Sequence, residues 1–126
     1  MTDATRPSPI QSISAVTLAT HHMARAVRFY LTLGFVLRYG GERASFTSFA
    51  AGPGYLNLVA AAPAAEWSWW GRTIFYVADV DALYDRAVNA GLRPSFPPRD
   101  AEWGERYFHI SDPDGHELEI TTYELT

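Results

Sequence analysis

The sequence predicts an α+β fold in which two βαβββ modules follow one another along the chain. Shifting the sequence by 57 residues aligns its two halves without a gap from the first strand to the end of the first helix, so that Gly34 falls on Gly91. Each half also reads, in order, as one strand, one amphipathic helix and three further strands. We therefore expect two curved mixed sheets that form a cup, with the helices outside.

The length and local composition predict how the chain is divided. The 126 residues are enough for one compact domain. Residues 1–11 contain prolines and show no periodicity, so they are predicted to form a flexible tail. The first module is expected over residues 12–60 and the second over residues 72–126. Residues 61–71 between them are interpreted as a linker.

Composition and charge exclude several classes of protein. Apolar residues make up 48% of the chain and charged residues 19%, which is typical of a globular protein. The formal net charge of −4, with scattered arginines, argues against nucleic acid as a partner. No apolar run reaches the ~18 residues of a membrane-spanning helix, and the N-terminus lacks the apolar stretch of a secretory signal. The chain has no cysteine, which excludes disulfides and thiol nucleophiles and fits a cytoplasmic protein.

The first module is predicted from its periodicity and its turns. Alternating apolar and polar residues indicate a strand over residues 13–20, and apolar residues at helical spacing indicate a helix that ends at Gly34. Glycine suits this position because it adopts the left-handed conformation at a helix C-terminus. Three strands follow, separated by glycine-rich turns, and we expect them at residues 35–39, 45–50 and 55–60.

The second module repeats this order of elements. A strand is predicted over residues 72–77, and a helix over residues 79–91 with Asp79 as its N-cap. A short strand is expected at residues 92–94, followed by a loop over residues 96–105. The last two strands are expected on either side of a tight turn, at residues 106–111 and 116–123.

The DPDG segment at residues 112–115 predicts this turn and thereby the register of the last two strands. Gly115 suits the left-handed position that closes a three-residue hairpin. This geometry places His109 opposite Glu119. One side of the hairpin is then apolar and is expected to pack on a helix, with Phe108, Ile110, Leu118 and Ile120. The other side is polar and is expected to face a cleft or solvent, with Tyr107, His109, Glu117 and Glu119.

Three segments of the sequence resemble the vicinal oxygen chelate superfamily. They are FYLTLGF at residues 29–35, DVDALYDRAVNAG at residues 79–91 and WGERYFHISDPDGHELEI at residues 103–120. This superfamily includes glyoxalase I, extradiol dioxygenases, methylmalonyl-CoA epimerases and the bleomycin and fosfomycin resistance proteins. The resemblance extends over residues 12–123 and implies paired βαβββ modules and a homodimer. Because this fold hosts unrelated chemistries, the function depends on the residues of the site.

The resemblance also implies where a metal ion would bind. Metal-using members take a ligand from the first and the last strand of each module, usually two histidines and two glutamates. The corresponding positions here are Ala15, Asn57, Arg72 and Glu119. Only Glu119 is an anionic ligand, and Arg72 is a permanent cation that cannot bind a metal. We therefore expect a salt bridge between Arg72 and Glu119, and no metal ion or other cofactor. The resemblance then favours the metal-free members, such as the bleomycin-binding type.

The expected function is the binding of a small molecule, such as an aromatic compound or an antibiotic, in the cleft. Its predicted lining residues are Asn57, Arg72, Tyr76, Trp103, Tyr107, His109 and Glu119. Two of these readings stay open. His109 and Glu119 are either a catalytic acid–base pair or a polar pair that lines a wet cleft. Arg72 either clamps an anionic ligand or neutralises Glu119.

Two other functions remain as alternatives. The protein could be a lyase, isomerase or dioxygenase that uses Glu119 as a base without a metal, or a displaced metal set of His109, Glu117 and Glu119. It could also be an interaction module whose docking surface is the linker with Trp67, Trp69 and Trp70. His21 and His22 are interpreted as surface residues at the start of the first helix, and no role is assigned to His116.

Overall fold

The computed structural model describes residues 8–123, so most of the tail predicted over residues 1–11 lies outside the described residues. Within these residues the chain forms two helices and eight strands. In chain order they are β1 (Ala15–Thr20), α1 (Met23–Leu33), β2 (Val36–Tyr39), β3 (Phe46–Ala51), β4 (Gly54–Ala60), β5 (Arg72–Tyr76), α2 (Val80–Asn89), β6 (Arg99–Asp100), β7 (Glu105–Ser111) and β8 (Glu117–Tyr123). This order confirms the two βαβββ modules.

Each module forms a mixed sheet of four strands. The strand order is β1-β4-β3-β2 in the first sheet and β5-β8-β7-β6 in the second. The first strand of each module is parallel to the last, and the remaining neighbours are antiparallel. The two sheets therefore share one topology, as the internal repeat predicts, and the α+β class is confirmed.

The predicted helix caps Gly34 and Asp79 are confirmed, and α2 ends at Asn89, two residues before the predicted end. Gly34 follows α1 with a φ of 103°, and its N–H donates to the carbonyl of Leu31 at 3.0 Å. A side chain at this angle would be strained, so glycine is required there. At the start of α2 the carboxylate of Asp79 accepts a hydrogen bond from the N–H of Ala82 at 3.0 Å, which confirms the predicted N-cap.

One predicted strand is wrong. Residues 92–94 are not a strand, and the two-residue strand β6 lies at Arg99–Asp100, inside the predicted loop. The reason is chemical, because Pro94, Pro97 and Pro98 have no N–H group to donate across a sheet. Before β6, the chain reaches β7 through a hydrogen bond from the N–H of Ser95 to the carbonyl of His109 at 2.8 Å.

The last hairpin has the predicted register. His109 pairs with Glu119, and Gly115 has a φ of 86° in the connecting turn. All four side chains of the predicted apolar face are buried, namely Phe108, Ile110, Leu118 and Ile120. They belong to one core that continues into the first module through Tyr30 and Phe49.

The two modules of the chain meet through their helices and the β7–β8 turn. The Tyr30 hydroxyl on α1 donates to the carboxylate of Asp112 at 2.7 Å, and both groups are buried. The rings of Phe35 and Phe75 meet edge to face with centroids 5.2 Å apart. Neither described helix is long and apolar enough to cross a membrane.

Candidate functional site

The candidate site lies on the face of the second sheet that points away from α2, called here the polar face. Alternation along β5, β7 and β8 brings its side chains together: Arg72, Tyr76, Tyr107, His109, Glu117 and Glu119. The opposite face of the same strands is the buried apolar layer. The hydrophobic pattern that folds the module thus also sets which polar groups face outward.

The ion pair of Arg72 differs from the one predicted. Arg72 donates from Nε to the carboxylate of Glu117, and not of Glu119. The strand register explains this, because β5 and β8 are parallel with Arg72 directly opposite Glu117 and Ile74 opposite Glu119. The indole ring of Trp69 lies 5.5 Å from the guanidinium carbon of Arg72. The predicted salt bridge between Arg72 and Glu119 is therefore wrong. Arg72 pairs instead with Glu117, two residues earlier on β8.

The charge of Glu117 is stabilised in this arrangement. Its burial alone would raise the pKa of the carboxyl group, but the hydrogen bond and charge of Arg72 outweigh that effect. His109 and a hydrogen bond from Trp69 act in the same direction, so the pKa of Glu117 is lowered from its ordinary value of 4.5. Glu117 is thus an anion at neutral pH and already has a cationic partner.

His109 and Glu119 form the second polar pair of this face. The Nε2 atom of His109 lies 2.8 Å from a carboxylate oxygen of Glu119, which is only 7% exposed. The other ring nitrogen, Nδ1, lies 3.9 Å from Glu117. The ring of Phe96 packs against His109 with centroids 4.9 Å apart. The imidazole is therefore held between two carboxylates and an aromatic wall, in a geometry that allows proton transfer to or from Glu119.

Glu105 holds the aromatic end of the face in place. Its two carboxylate oxygens accept hydrogen bonds from the Tyr76 hydroxyl at 2.5 Å and from the Trp103 indole at 2.6 Å. The ring of Trp103 stacks on Tyr107 with centroids 5.9 Å apart, and Trp103 is 66% exposed. A broad aromatic surface is thus fixed in orientation while it remains open to a ligand.

Arg99 extends this aromatic end. Its guanidinium carbon lies 3.7 Å from the ring centroid of Phe96 and 5.5 Å from that of Tyr107. Arg99 belongs to β6, the strand that the sequence did not predict. Its cation–π contacts with the two rings add a positive charge to an aromatic end that already carries the Glu105 carboxylate.

Asn57 is the one predicted lining residue that lies apart from the others. It is on β4 of the first sheet, and its amide nitrogen donates to the Thr17 hydroxyl at 3.2 Å. The other six predicted residues, Arg72, Tyr76, Trp103, Tyr107, His109 and Glu119, lie on the second sheet or in the loop before β7. A site that includes both groups needs the faces of two different sheets.

The positions that the resemblance assigns to metal ligands do not fit a divalent ion. Ala15 has no donor atom, the Asn57 amide is bonded to Thr17, and Arg72 is a cation. Glu119, the one anion, is paired with His109. Among residues 8–123, no group of three or more His, Cys, Asp or Glu side chains is placed to hold a metal. The alternative set of His109, Glu117 and Glu119 is therefore not a metal site in this arrangement.

The linker and His116 form a contact that the sequence did not reveal. The Trp67 ring stacks between His21 at 4.7 Å and His116 at 5.4 Å. The indole N–H of Trp70 donates to Nδ1 of His116 at 2.8 Å, so Nε2 carries the proton that reaches the carbonyl of Ala19 at 2.8 Å. His116, to which no role was assigned, thus ties the linker to both modules.

Sequence reasoning missed three residues of the site and the partner of a fourth, Glu117. Glu117 could be placed on the polar face by alternation, but its partner could not. Glu105, Phe96 and Arg99 lie in or beside a proline-rich loop without periodicity. Only the folded loop brings them to the aromatic rings of β7.

A family model described as Glyoxalase/Bleomycin resistance protein/Dioxygenase superfamily matches residues 12–120 of the chain. A glyoxalase/bleomycin resistance protein/dioxygenase from Nocardioides is 24% identical with a TM-score of 0.73, and the match covers 94% of this chain and 87% of that one. TioX from Micromonospora sp. ML1 is 26% identical with a TM-score of 0.73, covering 90% and 99%. A bleomycin resistance determinant encoded on the transposon Tn5 is 20% identical with a TM-score of 0.74, covering 91% and 100%.

The chain also matches curated proteins over a short segment. An uncharacterized protein of Mycobacterium tuberculosis (strain ATCC 25618 / H37Rv) is 48% identical over 40 residues. The match covers 32% of this chain and 24% of that protein. The segment is similar in sequence, but it spans a small part of the relative's length.

Proposed function

Because the chain belongs to the glyoxalase/bleomycin resistance protein/dioxygenase superfamily, we propose that it binds an aromatic small molecule on its polar face without a metal ion. The observation that carries this proposal is the ion pair of Arg72 with Glu117, which puts a guanidinium at a metal-ligand position of the superfamily. A fixed cation there repels a divalent ion. We further propose a cytoplasmic location, which the cysteine-free composition supports.

Binding would come from the aromatic rings, and orientation from the charges. Trp103 and Tyr107 offer stacked rings at one end of the face, held by Glu105. Arg72 and Glu117 offer a donor and an acceptor at the other end. A flat ligand with one polar end fits this division, because ring stacking supplies contact area and the ion pair supplies direction.

A homodimer would complete the cleft. The first sheet exposes apolar side chains on the face that carries Asn57, with Phe46, Tyr55 and Val59 among them. The two modules of one chain meet elsewhere, through the helices and the Tyr30–Asp112 contact. We propose that the exposed face of the first sheet in one copy opposes the polar face of the second sheet in another. A two-fold axis would then produce two such clefts in each dimer.

The test combines metal analysis with ligand binding. Protein purified without chelator or metal-affinity resin is expected to contain nearly no Zn, Ni, Fe or Mn per chain by elemental analysis. Bleomycin and tryptamine serve as aromatic probes in isothermal titration calorimetry. Trp103→Ala is expected to lower the affinity for the probe by roughly ten-fold, since a contact between aromatic rings contributes about 0.5–1.5 kcal/mol in addition to the burial of its area.

Controls separate the site from the rest of the surface. Arg28→Gln removes an arginine that is ion-paired with Glu42 on the surface of the first module, and it should leave probe affinity unchanged. Arg72→Gln, by contrast, should change the affinity for the probe, because Arg72 belongs to the polar face. About one equivalent of metal that a chelator removes together with binding would contradict the proposal, as would equal affinity in the Trp103→Ala variant.

One observation favours a second candidate, a lyase or isomerase that works without a metal. The buried Glu119 carboxylate lies 2.8 Å from His109, the distance at which a base and its proton partner operate. Glu119→Gln and His109→Gln would then each abolish turnover of a substrate with an acidic C–H group while retaining its binding. If the wild type shows no measurable turnover and the two variants lose binding, the binding function is the better description.

A further inference from the structure

A second cleft lies between the two modules, and it has a volume of about 740 Å³. One wall is the end of α1 with Leu33 and the following Phe35, and the opposite wall is α2 with Leu83 and Arg86. The β3–β4 turn and the end of β5 close its sides. It is called here the inter-module cleft. We propose that it binds a small amphipathic carboxylate, at a site that shares only Tyr76 with the polar face.

The walls of the inter-module cleft suit an apolar group. Phe35 and Phe75 meet edge to face at 5.2 Å, and the partly buried Leu83 continues this surface, whereas Leu33 and Ile120 behind it already belong to the buried core. The volume falls within the ~300–1,000 Å³ that small-molecule sites usually have. An apolar ligand would remove this surface from water, and the gain grows with the area that is covered.

The charge at the mouth of the cleft selects the other end of the ligand. Arg86 donates from Nε to the carbonyl of Thr32 at 2.7 Å, which fixes the plane of its guanidinium. Its Nη1 atom lies 3.5 Å from the place where a Cβ on Gly34 would stand, which is an ordinary van der Waals distance, so the guanidinium lies against Gly34 at the end of α1. The acidic lining residue, Asp79, is already bonded to the N–H of Ala82. An anion, and above all a planar carboxylate, is therefore the group that matches Arg86.

The internal repeat shows what size of group such a junction accepts. On the opposite side of the molecule the equivalent junction lies between the β7–β8 turn and the start of α1. It is filled there by the Trp67 ring, which stacks between His21 and His116. By the spacing of 57 residues, the position in the first module that corresponds to Trp67 is Ile10. Its side chain is 75% exposed. Ile10 does not line the inter-module cleft, so this segment does not fill the cleft in the way that Trp67 fills its junction.

The proposal is tested by titrating the full chain with 2-naphthoate, with 2-naphthylmethylamine as the matched cation. Binding is followed by the amide resonances of Gly34, Gly52 and Val77, which line the cleft. We expect naphthoate to shift these resonances and the amine to shift them far less. Arg86→Gln is expected to lower the affinity for naphthoate by roughly ten-fold or more, since hydrogen bonds to charged groups contribute ~1.5–3 kcal/mol.

Two variants keep the result independent of folding and of the polar face. Ala82→Trp should fill the cleft and abolish the shifts while the melting temperature is retained, because Ala82 is exposed. Arg72→Gln should leave them unchanged, because Arg72 belongs to the polar face. The proposal is overturned if naphthoate shifts none of the three amides at millimolar concentration, or if Arg86→Gln binds as the wild type does.

Discussion

Glu117 and Glu119 lie two residues apart on the same face of β8, yet they have different partners. Glu117 is bonded to Arg72 across a parallel pair, and Glu119 to His109 across an antiparallel pair. Each carboxylate therefore takes the residue directly opposite it in the sheet. A ligand that reaches the polar face meets a neutralised ion pair beside a histidine whose proton can be shared.

The Arg72–Glu117 pair predicts a specific pH dependence of stability. Since the pKa of Glu117 is lowered in the folded state, its contribution is present above its ordinary pKa of 4.5 and is lost as the pH falls through the folded value. Arg72→Gln should remove this contribution. Because Arg72 is one-third exposed, we expect a loss of only ~0.2–1 kcal/mol at pH 7 in urea unfolding.

The same measurement at lower pH identifies the cause. The difference between wild type and Arg72→Gln should stay constant from pH 7 down to pH 5 and then shrink as Glu117 is protonated. A difference that persists unchanged at pH 3 would mean that Arg72 stabilises the fold by packing on Trp69 rather than through Glu117.

The sequence could predict the faces of these residues but not all of their partners. The β7–β8 register follows from Gly115 and the turn chemistry, so the His109–Glu119 pair was predictable. β5 and β8 are joined through α2 and two further strands, so no turn fixes their register. That is why Arg72 was expected beside Glu119 and lies opposite Glu117.

At the scale of elements, α1 is fixed to the β7–β8 turn by one buried hydrogen bond. Burial raises the pKa of Tyr30 well above its ordinary value, and the neighbouring Asp112 raises it further. Burial also raises the pKa of Asp112, although the hydrogen bond from Tyr30 opposes that effect. The buried carboxylate of Asp112 is stabilised because it also accepts hydrogen bonds from the N–H groups of Asp114 and His116.

Removing the Tyr30 hydroxyl should destabilise the contact between the modules. Tyr30→Phe keeps the ring but leaves a buried oxygen of Asp112 without its donor, which costs about 1–3 kcal/mol. The variant should raise the pKa of Asp112 further. A carboxyl group with a raised folded pKa contributes stability below its ordinary value of 3.8 and loses it as the pH rises through the folded value.

The deficit of Tyr30→Phe is therefore expected to grow as the pH rises from 3 to 7, whereas the loss of a surface tyrosine should show no such dependence on pH. Urea unfolding at several pH values measures it. Tyr39→Phe is the control, since Tyr39 is 67% exposed and should cost little at any pH. A deficit independent of pH would mean that Asp112 does not sense the missing hydroxyl.

Elements with strong periodicity or specific caps were predictable, and elements made by loops were not. α1, α2 and the β7–β8 hairpin follow from apolar spacing, Gly34, Asp79 and Gly115. β6 was not predictable, because two residues show no period and the flanking prolines suggested a loop. In the linker, the sequence singled out only the tryptophans. Their contacts with His116 were not predictable, because His116 follows a turn that is distant in the sequence.

At the scale of the whole molecule, the two sheets present unlike surfaces. The outward face of the first sheet is mainly apolar, with Phe46 opposite Val59 across β3 and β4. The corresponding face of the second sheet carries ion pairs and histidine. A contiguous exposed apolar face is typical of an interface. The unlike faces suit one another as the apolar wall and the polar wall of the cleft that we propose two copies share.

This arrangement predicts that Val59→Glu abolishes both the dimer and probe binding. A carboxylate in the middle of the apolar face would have to be buried without a partner, which costs far more than a dimer contact gains. Analytical ultracentrifugation at tens of micromolar protein measures the mass, and tryptamine titration measures binding. Val88→Glu is the matched control, because Val88 is also a half-exposed valine but lies on α2; it should remain dimeric and bind as the wild type does. A wild type that sediments as a 14.0 kDa monomer and still binds the probe would contradict the shared cleft and place the whole site on one chain.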